Sequence, residues 1–74
     1  STEESIFNCC FRAAQPDETY MELSAAEIFL CIKKRYPHAL KQASPASFSK
    51  VLMSLGVERI HTRTGNLYRV IEMR

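Results

Sequence analysis

The clearest pattern of apolar residues lies between Ser44 and Gly56 and has the period of an α-helix. Ser44 is a favourable N-cap, and Pro45 suits the first helical position because the N–H that it lacks would have no partner there. Gly56 stands where helices often end in a left-handed residue. The pattern predicts a helix over residues 44–55, with one face formed by Phe48, Val51, Leu52 and Leu55.

A second amphipathic helix is predicted over residues 24–36. Ser24 and Glu27 have the spacing of a capping box, and Pro37 ends the helix. Three cations at residues 33–35 fall in the last turn, where they suit the helix dipole. This run therefore has a structural explanation. The apolar stripe consists of Ile28, Phe29, Ile32 and Tyr36.

After Val57 the period changes to two, which predicts a β-hairpin, or wing, over residues 57–72. Its turn is placed at residues 64–66, with Gly65 and Asn66 able to take positive φ. Within the wing, one face is expected to carry Arg59, His61 and Arg63. The inward set over the helix of residues 44–55 is expected to be Ile60, Tyr68 and Val70.

The N-terminal part has weaker signals. Residues 1–5 are predicted to be disordered, and residues 6–23 to form a strand or hairpin. Residues 6–13 alternate as a half-buried strand would, with Phe7, Cys9 and Phe11 on one face. Residues 38–43 fit either one or two helical turns or a tight connection.

Together these elements predict an α+β fold, winged helix-turn-helix-like, with two main helices plus a small antiparallel β-sheet. The chain has 74 residues, so residues 6–74 are expected to form a single domain, monomeric in isolation. No apolar run approaches the roughly 20 residues that span a bilayer, and the polar, acidic start lacks the basic region of a signal peptide. We expect no membrane association.

The sequence offers little for catalysis or metal binding. It has one aspartate, two glycines, no P-loop and no G-x-S-x-G elbow, so we expect no enzymatic activity and no cofactor. The two histidines are isolated and there is no C-x-x-C motif, so no metal site is expected. Three cysteines, an odd count, indicate free thiols in a reducing, cytoplasmic environment.

Charge divides the chain into two parts. Residues 1–32 carry one cation and six acids, a net charge of −5, whereas residues 33–74 carry nine cations and two acids, a net charge of +7. The basic part is the candidate surface for an anionic partner. Two alternatives stay open: both halves are simply solvated, or Arg59 and Arg63 pair with Glu58, Glu72 or the acidic N-terminal part.

Nucleic acid, most readily DNA, is the anionic partner that a basic wing would fit. The helix of residues 44–55 exposes small hydroxyl residues and one lysine, but no Asn, Gln or Arg to read base edges, so contacts should be electrostatic and salt-sensitive. The candidate nucleic-acid-binding residues are Ser47, Lys50, Arg59, His61, Arg63 and Arg69.

Two motifs resemble a known family: F-x-x-V-L-x-x-L-G-V-x-R at Phe48–Arg59 and G-N-x-Y-R-V at Gly65–Val70. Within residues 23–70 the chain is similar to the C-terminal winged-helix-like domain of unknown function attached to virulence-associated protein E and poxvirus-type primase-helicase ATPases of mobile elements. The resemblance implies an accessory DNA-binding module of a larger replication or mobilisation protein. The alternative is a protein–protein docking module, contacting the parent ATPase domain or another protein, with no nucleic-acid binding.

Overall fold

The structure, a computed structural model, describes residues 2–41 and 43–73. This part of the chain forms three helices and a four-stranded antiparallel sheet, so the predicted α+β, winged-helix-like fold is confirmed. The elements in chain order are α1 (Thr2–Cys10), β1 (Phe11–Ala13), β2 (Met21–Leu23), α2 (Ala25–Arg35), α3 (Pro45–Ser54), β3 (Glu58–Thr62) and β4 (Gly65–Glu72).

The predicted caps of α2 and α3 are confirmed. The Ser24 hydroxyl accepts from the Glu27 N–H at 3.1 Å, and a Glu27 carboxylate oxygen accepts from the Ser24 N–H at 2.8 Å. In α3 a second serine takes the place of the glutamate: the Ser44 hydroxyl accepts from the Ser47 N–H at 3.2 Å, and the Ser47 hydroxyl accepts from the Ser44 N–H at 3.1 Å. Gly56 follows α3 with φ of +77°, in the left-handed region as predicted.

The N-terminal prediction is wrong for residues 2–10, whereas two short strands do lie within the predicted range 6–23, without pairing to each other as a hairpin. Where the sequence indicated disorder over residues 1–5 and a strand from residue 6, the structure has α1 (Thr2–Cys10), followed by β1 of only three residues; Ser1 lies outside the described residues. The buried residues are Phe7, Cys10 and Phe11, a helical spacing of three and four, whereas Cys9 is exposed. The alternation that suggested a strand came from the two phenylalanines, which fit both periods.

β4 is the central strand of the sheet. Its residues 68–70 pair with β2, while residues 65–69 pair with β3 and residues 70–72 with β1. β1 and β3 therefore follow one another along one edge of β4, and β2 lies along the other edge. The two N-terminal strands pair with β4 and not with each other.

The register of the wing corrects the predicted faces. Thr62 pairs with Gly65, so the loop is Arg63–Thr64 and Asn66 lies inside β4 with negative φ. A turn over residues 64–66 would have paired Arg63 with Leu67. With two loop residues and not three, each residue of β3 shares a face with the residues of β4 that were predicted to lie on the opposite face. Arg59 therefore lies beside buried Tyr68, and Ile60 lies on the opposite face from it.

The core lies between the helices and the face of the sheet that carries Tyr68 and Val70. Four phenylalanine rings join the elements: Phe7 stacks on Phe11 with centroids 5.9 Å apart, and Phe48 meets Phe7 and Phe29 edge-on at 6.2 and 6.1 Å. The core residues are Phe7, Cys10, Phe11, Ile28, Phe29, Ile32, Leu40, Phe48, Leu52, Val57, Tyr68 and Val70. α1 is thus a full member of the core.

Candidate nucleic-acid interface

The β3–β4 hairpin presents three of the six predicted contact residues at the surface: Arg59, His61 and Arg63 are all exposed. Arg59 pairs with Tyr68 and His61 with Asn66, so both basic residues belong to the face of the sheet that the helices pack against. Arg63 lies in the two-residue loop at the tip. The hairpin therefore exposes all three residues. Arg59 and His61 do so on the face of the sheet that the helices pack against, and Arg63 does so in the loop.

His61 is oriented by a side chain on the neighbouring strand. Its Nδ1 lies 2.8 Å from Asn66 Oδ1, a cross-strand hydrogen bond. With the amide oxygen as acceptor, Nδ1 carries the proton in the neutral ring and Nε2 is an acceptor. A protonated ring would instead offer its second N–H as a donor. The neutral ring held in this way therefore has no second N–H to offer to an anion.

Arg69, also predicted to contact nucleic acid, already has intramolecular partners. It lies between two acids on adjacent strands, with Nε 3.2 Å from Glu22 Oε2 and Nη1 3.1 Å from Glu58 Oε1. Its Cζ also lies 4.6 Å from the centroid of the Tyr20 ring, a cation–π contact. These contacts satisfy its charge and join β2, β4 and β3. The sequence did not reveal them, because they depend on the register of three strands.

The described arginines fall into two groups. Arg12 pairs with Glu18 at 2.6 Å, Arg35 donates to the Met73 carbonyl at 3.0 Å, and Arg69 has the partners given above. Arg59 and Arg63 have no ion pair and no hydrogen bond to any residue in ranges 2–41 and 43–73. The alternative that Arg59 and Arg63 pair with nearby acids therefore finds no such pair in this part of the chain, although Arg69 on the same hairpin does pair with Glu58.

The two predicted contact residues on α3, Ser47 and Lys50, differ in whether their side chains already have partners within the protein. The Ser47 hydroxyl accepts the Ser44 N–H in the capping box, and as a donor it lies 3.0 Å from the Ser44 carbonyl oxygen and 3.3 Å from Glu3 Oε2. A carboxylate of α1 thus already lies beside the amino end of α3, where the helix dipole favours a negative charge. Lys50 is exposed and, across the described residues, makes no ion pair.

The arrangement of the described side chains also bears on metal binding and on cysteine reactivity. Among the described residues no group of three His, Cys, Asp or Glu side chains is placed to hold a metal ion. Cys9, Cys10 and Cys31 are all free thiols, and burial raises the pKa of the Cys10 thiol, which makes it a poor nucleophile. None of the helices within residues 2–41 and 43–73 has the length and apolar character needed to cross a membrane.

The geometry defines an α+β winged-helix-like domain whose wing carries two unpaired arginines. The chain belongs to DUF3874, a family described as a domain of unknown function from a B. theta gene, and the match covers residues 1–70. The predicted membership of a family of domains of unknown function is thereby confirmed, whereas the match says nothing of primase-helicase ATPases or mobile elements. No curated protein and no solved structure matches the chain.

Proposed function

We propose that this domain is a non-catalytic nucleic-acid-binding module that contacts the phosphate backbone of DNA through its wing. The observation that carries the proposal is the division of the arginines. Three described arginines have partners within the protein, while Arg59 and Arg63 on the wing are exposed and have no ion pair or hydrogen bond among the described residues. Unpaired guanidinium groups need no internal ion pair to be broken before they bind phosphate, so they are the most available.

The proposed contacts lie on the helix-covered side of the sheet and at the tip of the hairpin. Arg59 and Arg63 contribute the charge, protonated His61 adds a donor, and Lys50 on α3 supplies a further cation. Ser47 and Arg69 were predicted to take part as well, but their intramolecular hydrogen bonds make them secondary. Since α3 carries small polar residues around Lys50, it allows a close approach to phosphates without base readout.

Fluorescence anisotropy with labelled duplex and single-stranded DNA over a salt series tests the proposal. Log affinity should fall linearly with log salt, because each neutralised phosphate releases counterions. The Arg59→Ala/Arg63→Ala variant should bind more weakly at every salt concentration, with the slope shallower by about 2.

The matched control is Lys33→Ala/Lys34→Ala, which removes two positive charges from α2 and leaves the wing intact. It should retain the wild-type slope. No binding to either DNA at low salt would refute the proposal, as would equal losses in the two double variants, which would indicate net charge alone.

A larger context is part of the proposal: a cytoplasmic replication or mobilisation protein in which the domain is an accessory to an ATPase. Its support is the resemblance carried by Phe48–Arg59 and Gly65–Val70, together with the three free thiols, which suit a reducing compartment. The alternative of a protein-docking module remains, and one exposed apolar residue, Leu30 on α2, favours it as a second activity.

A further inference from the structure

α2 presents an apolar side chain to solvent on the side away from the core. Leu30 is 64% exposed, more than any other large apolar side chain of the described residues. The opposite side of the same helix is buried through Ile28, Phe29 and Ile32, none more than 7% exposed. The exposure of Leu30 is therefore not the result of a loosely packed helix, and core packing does not explain a leucine at this position.

Two lysines lie one turn beyond Leu30 on the helix surface, and the Nζ of the first, Lys33, also lies 6.0 Å from the centroid of the Phe29 ring. Lys33 and Lys34 lie three and four positions further along α2, so they form with Leu30 one patch, which we call the α2 outer face. The helix dipole accounts for cations in this last turn, but it does not account for the exposed leucine one turn before them.

The sequence from α2 onwards is basic, although Glu27 lies three positions before Leu30 on the same helix. No aspartate or glutamate occurs from residue 28 to residue 57, a stretch with five lysines and arginines. The acid that precedes it, Glu27, uses a carboxylate oxygen to accept the Ser24 N–H at 2.8 Å in the capping box. In residues 2–41 and 43–73 neither Lys33 nor Lys34 has an acidic partner within the chain.

We propose that the α2 outer face is a docking site for an acidic, amphipathic segment of a protein partner. In this arrangement an apolar side chain of the partner covers Leu30, and its carboxylates pair with Lys33 and Lys34. Charge complementarity sets the sign of the partner. A nucleic-acid backbone would satisfy the lysines but offers no apolar group to bury the leucine, so the combination favours protein. The site lies on a different element from the wing and does not depend on DNA binding.

Selection from a random peptide display library with the 74-residue protein tests this assignment without assuming a partner sequence. The enriched peptides should combine Asp or Glu with apolar residues at helical spacing. A labelled peptide of the enriched sequence should then lose about fivefold or more in affinity with Leu30→Ala, and again with Lys33→Ala/Lys34→Ala. Only the lysine variant should flatten the salt dependence.

Two control variants separate this site from the rest of the surface. Met53→Ala removes another exposed apolar side chain, 44% exposed on α3, and should leave peptide affinity unchanged. Arg59→Ala/Arg63→Ala should do the same. The proposal is overturned if no acidic, apolar sequence is enriched, if Met53→Ala weakens the peptide as much as Leu30→Ala, or if the two lysines prove to bind duplex DNA and no peptide.

Discussion

The guanidinium of Arg12 holds the carboxylate of Glu18 through two hydrogen bonds, with Nη1 2.8 Å from Oε1 and Nη2 2.6 Å from Oε2. Oε1 also accepts the Gln15 N–H at 2.8 Å. The hydrogen bonds from the guanidinium, followed by that from the backbone amide, lower the pKa of Glu18 to about 2. The pair closes the loop that carries the chain from β1, on one edge of β4, to β2 on the other.

The lowered pKa makes the Arg12–Glu18 pair a source of acid sensitivity. A carboxyl group whose pKa is lower in the folded state stabilises the fold fully above its ordinary pKa, and that contribution is lost as pH falls towards the folded value. We expect the gap in stability between the wild type and Glu18→Gln to be constant near neutral pH. It should shrink as pH falls from about 5 towards 2. Thermal unfolding by circular dichroism across this range measures it.

Asp17→Asn is the matched control for this prediction, because it removes a neighbouring loop carboxylate that makes no ion pair in the described part of the chain. As pH falls from about 5 towards 2, the stability of Asp17→Asn should decrease in the same way as that of the wild type. An Asp17→Asn profile that matches Glu18→Gln would show that loop charge in general, and not the pairing with Arg12, causes the effect.

Arg69 makes a second testable contact, because it bridges Glu22 on β2 and Glu58 on β3. Arg69→Leu should lower the melting temperature more than Arg59→Leu does, since it leaves two carboxylates facing each other across β4 and removes the cation over Tyr20. The difference should narrow in high salt, because the group is partly exposed and its ion pairs are screened.

Removing the two acidic partners as well tests whether Arg69 stabilises the fold through its ion pairs. Adding Glu22→Gln and Glu58→Gln to Arg69→Leu should recover part of the lost melting temperature, because the repulsion between the two acids is gone. If the triple variant is no more stable than Arg69→Leu, the arginine acts through packing and not through the two pairs.

Phe7 tests whether α1 belongs to the core. Its ring is 1% exposed and contacts Phe11 and Phe48. Phe7→Ala should cost about 3–5 kcal/mol, a large part of the stability of a small domain. Because that variant could fail to fold, Phe7→Leu provides a milder measure, with a loss of about 1–2 kcal/mol in urea denaturation.

Cys9→Ser, two positions along α1 at an exposed site, is the control for Phe7 and should change stability by no more than about 0.5 kcal/mol. A Phe7→Leu variant as stable as Cys9→Ser would mean that α1 does not pack on the core in solution.

Local signals explain what the sequence predicted correctly. Ser24 with Glu27, Ser44 with Pro45, and Gly56 act through hydrogen bonds or backbone preferences that span a few residues, so each can be recognised without knowledge of the fold. The wing followed from the change of period after Val57. At the candidate interface, the same reasoning identified Arg59, His61 and Arg63 as basic surface residues of one hairpin.

The features that the sequence did not reveal depend on contacts between distant elements. α1 is a nine-residue helix, too short to be stable alone, and its formation depends on burying Phe7 and Cys10 against α2 and α3. Clues to the helix were nevertheless present in the sequence: Ser1 and Glu4 have the spacing of a capping box, acids occupy the first turn, and Phe7, Cys10 and Phe11 have helical spacing.

The sequence by itself determined the elements of the wing and of α2 and α3, the basic character of residues 28–57 and the presence of cations on the hairpin. Only the tertiary structure decided which cations remain unpaired. Arg69 and Arg59 are both surface arginines on paired strands, and no local pattern distinguishes them. The register of β4 places Arg69 between two acids and Arg59 beside Tyr68, because an ion pair across strands requires the alignment of residues far apart in the chain.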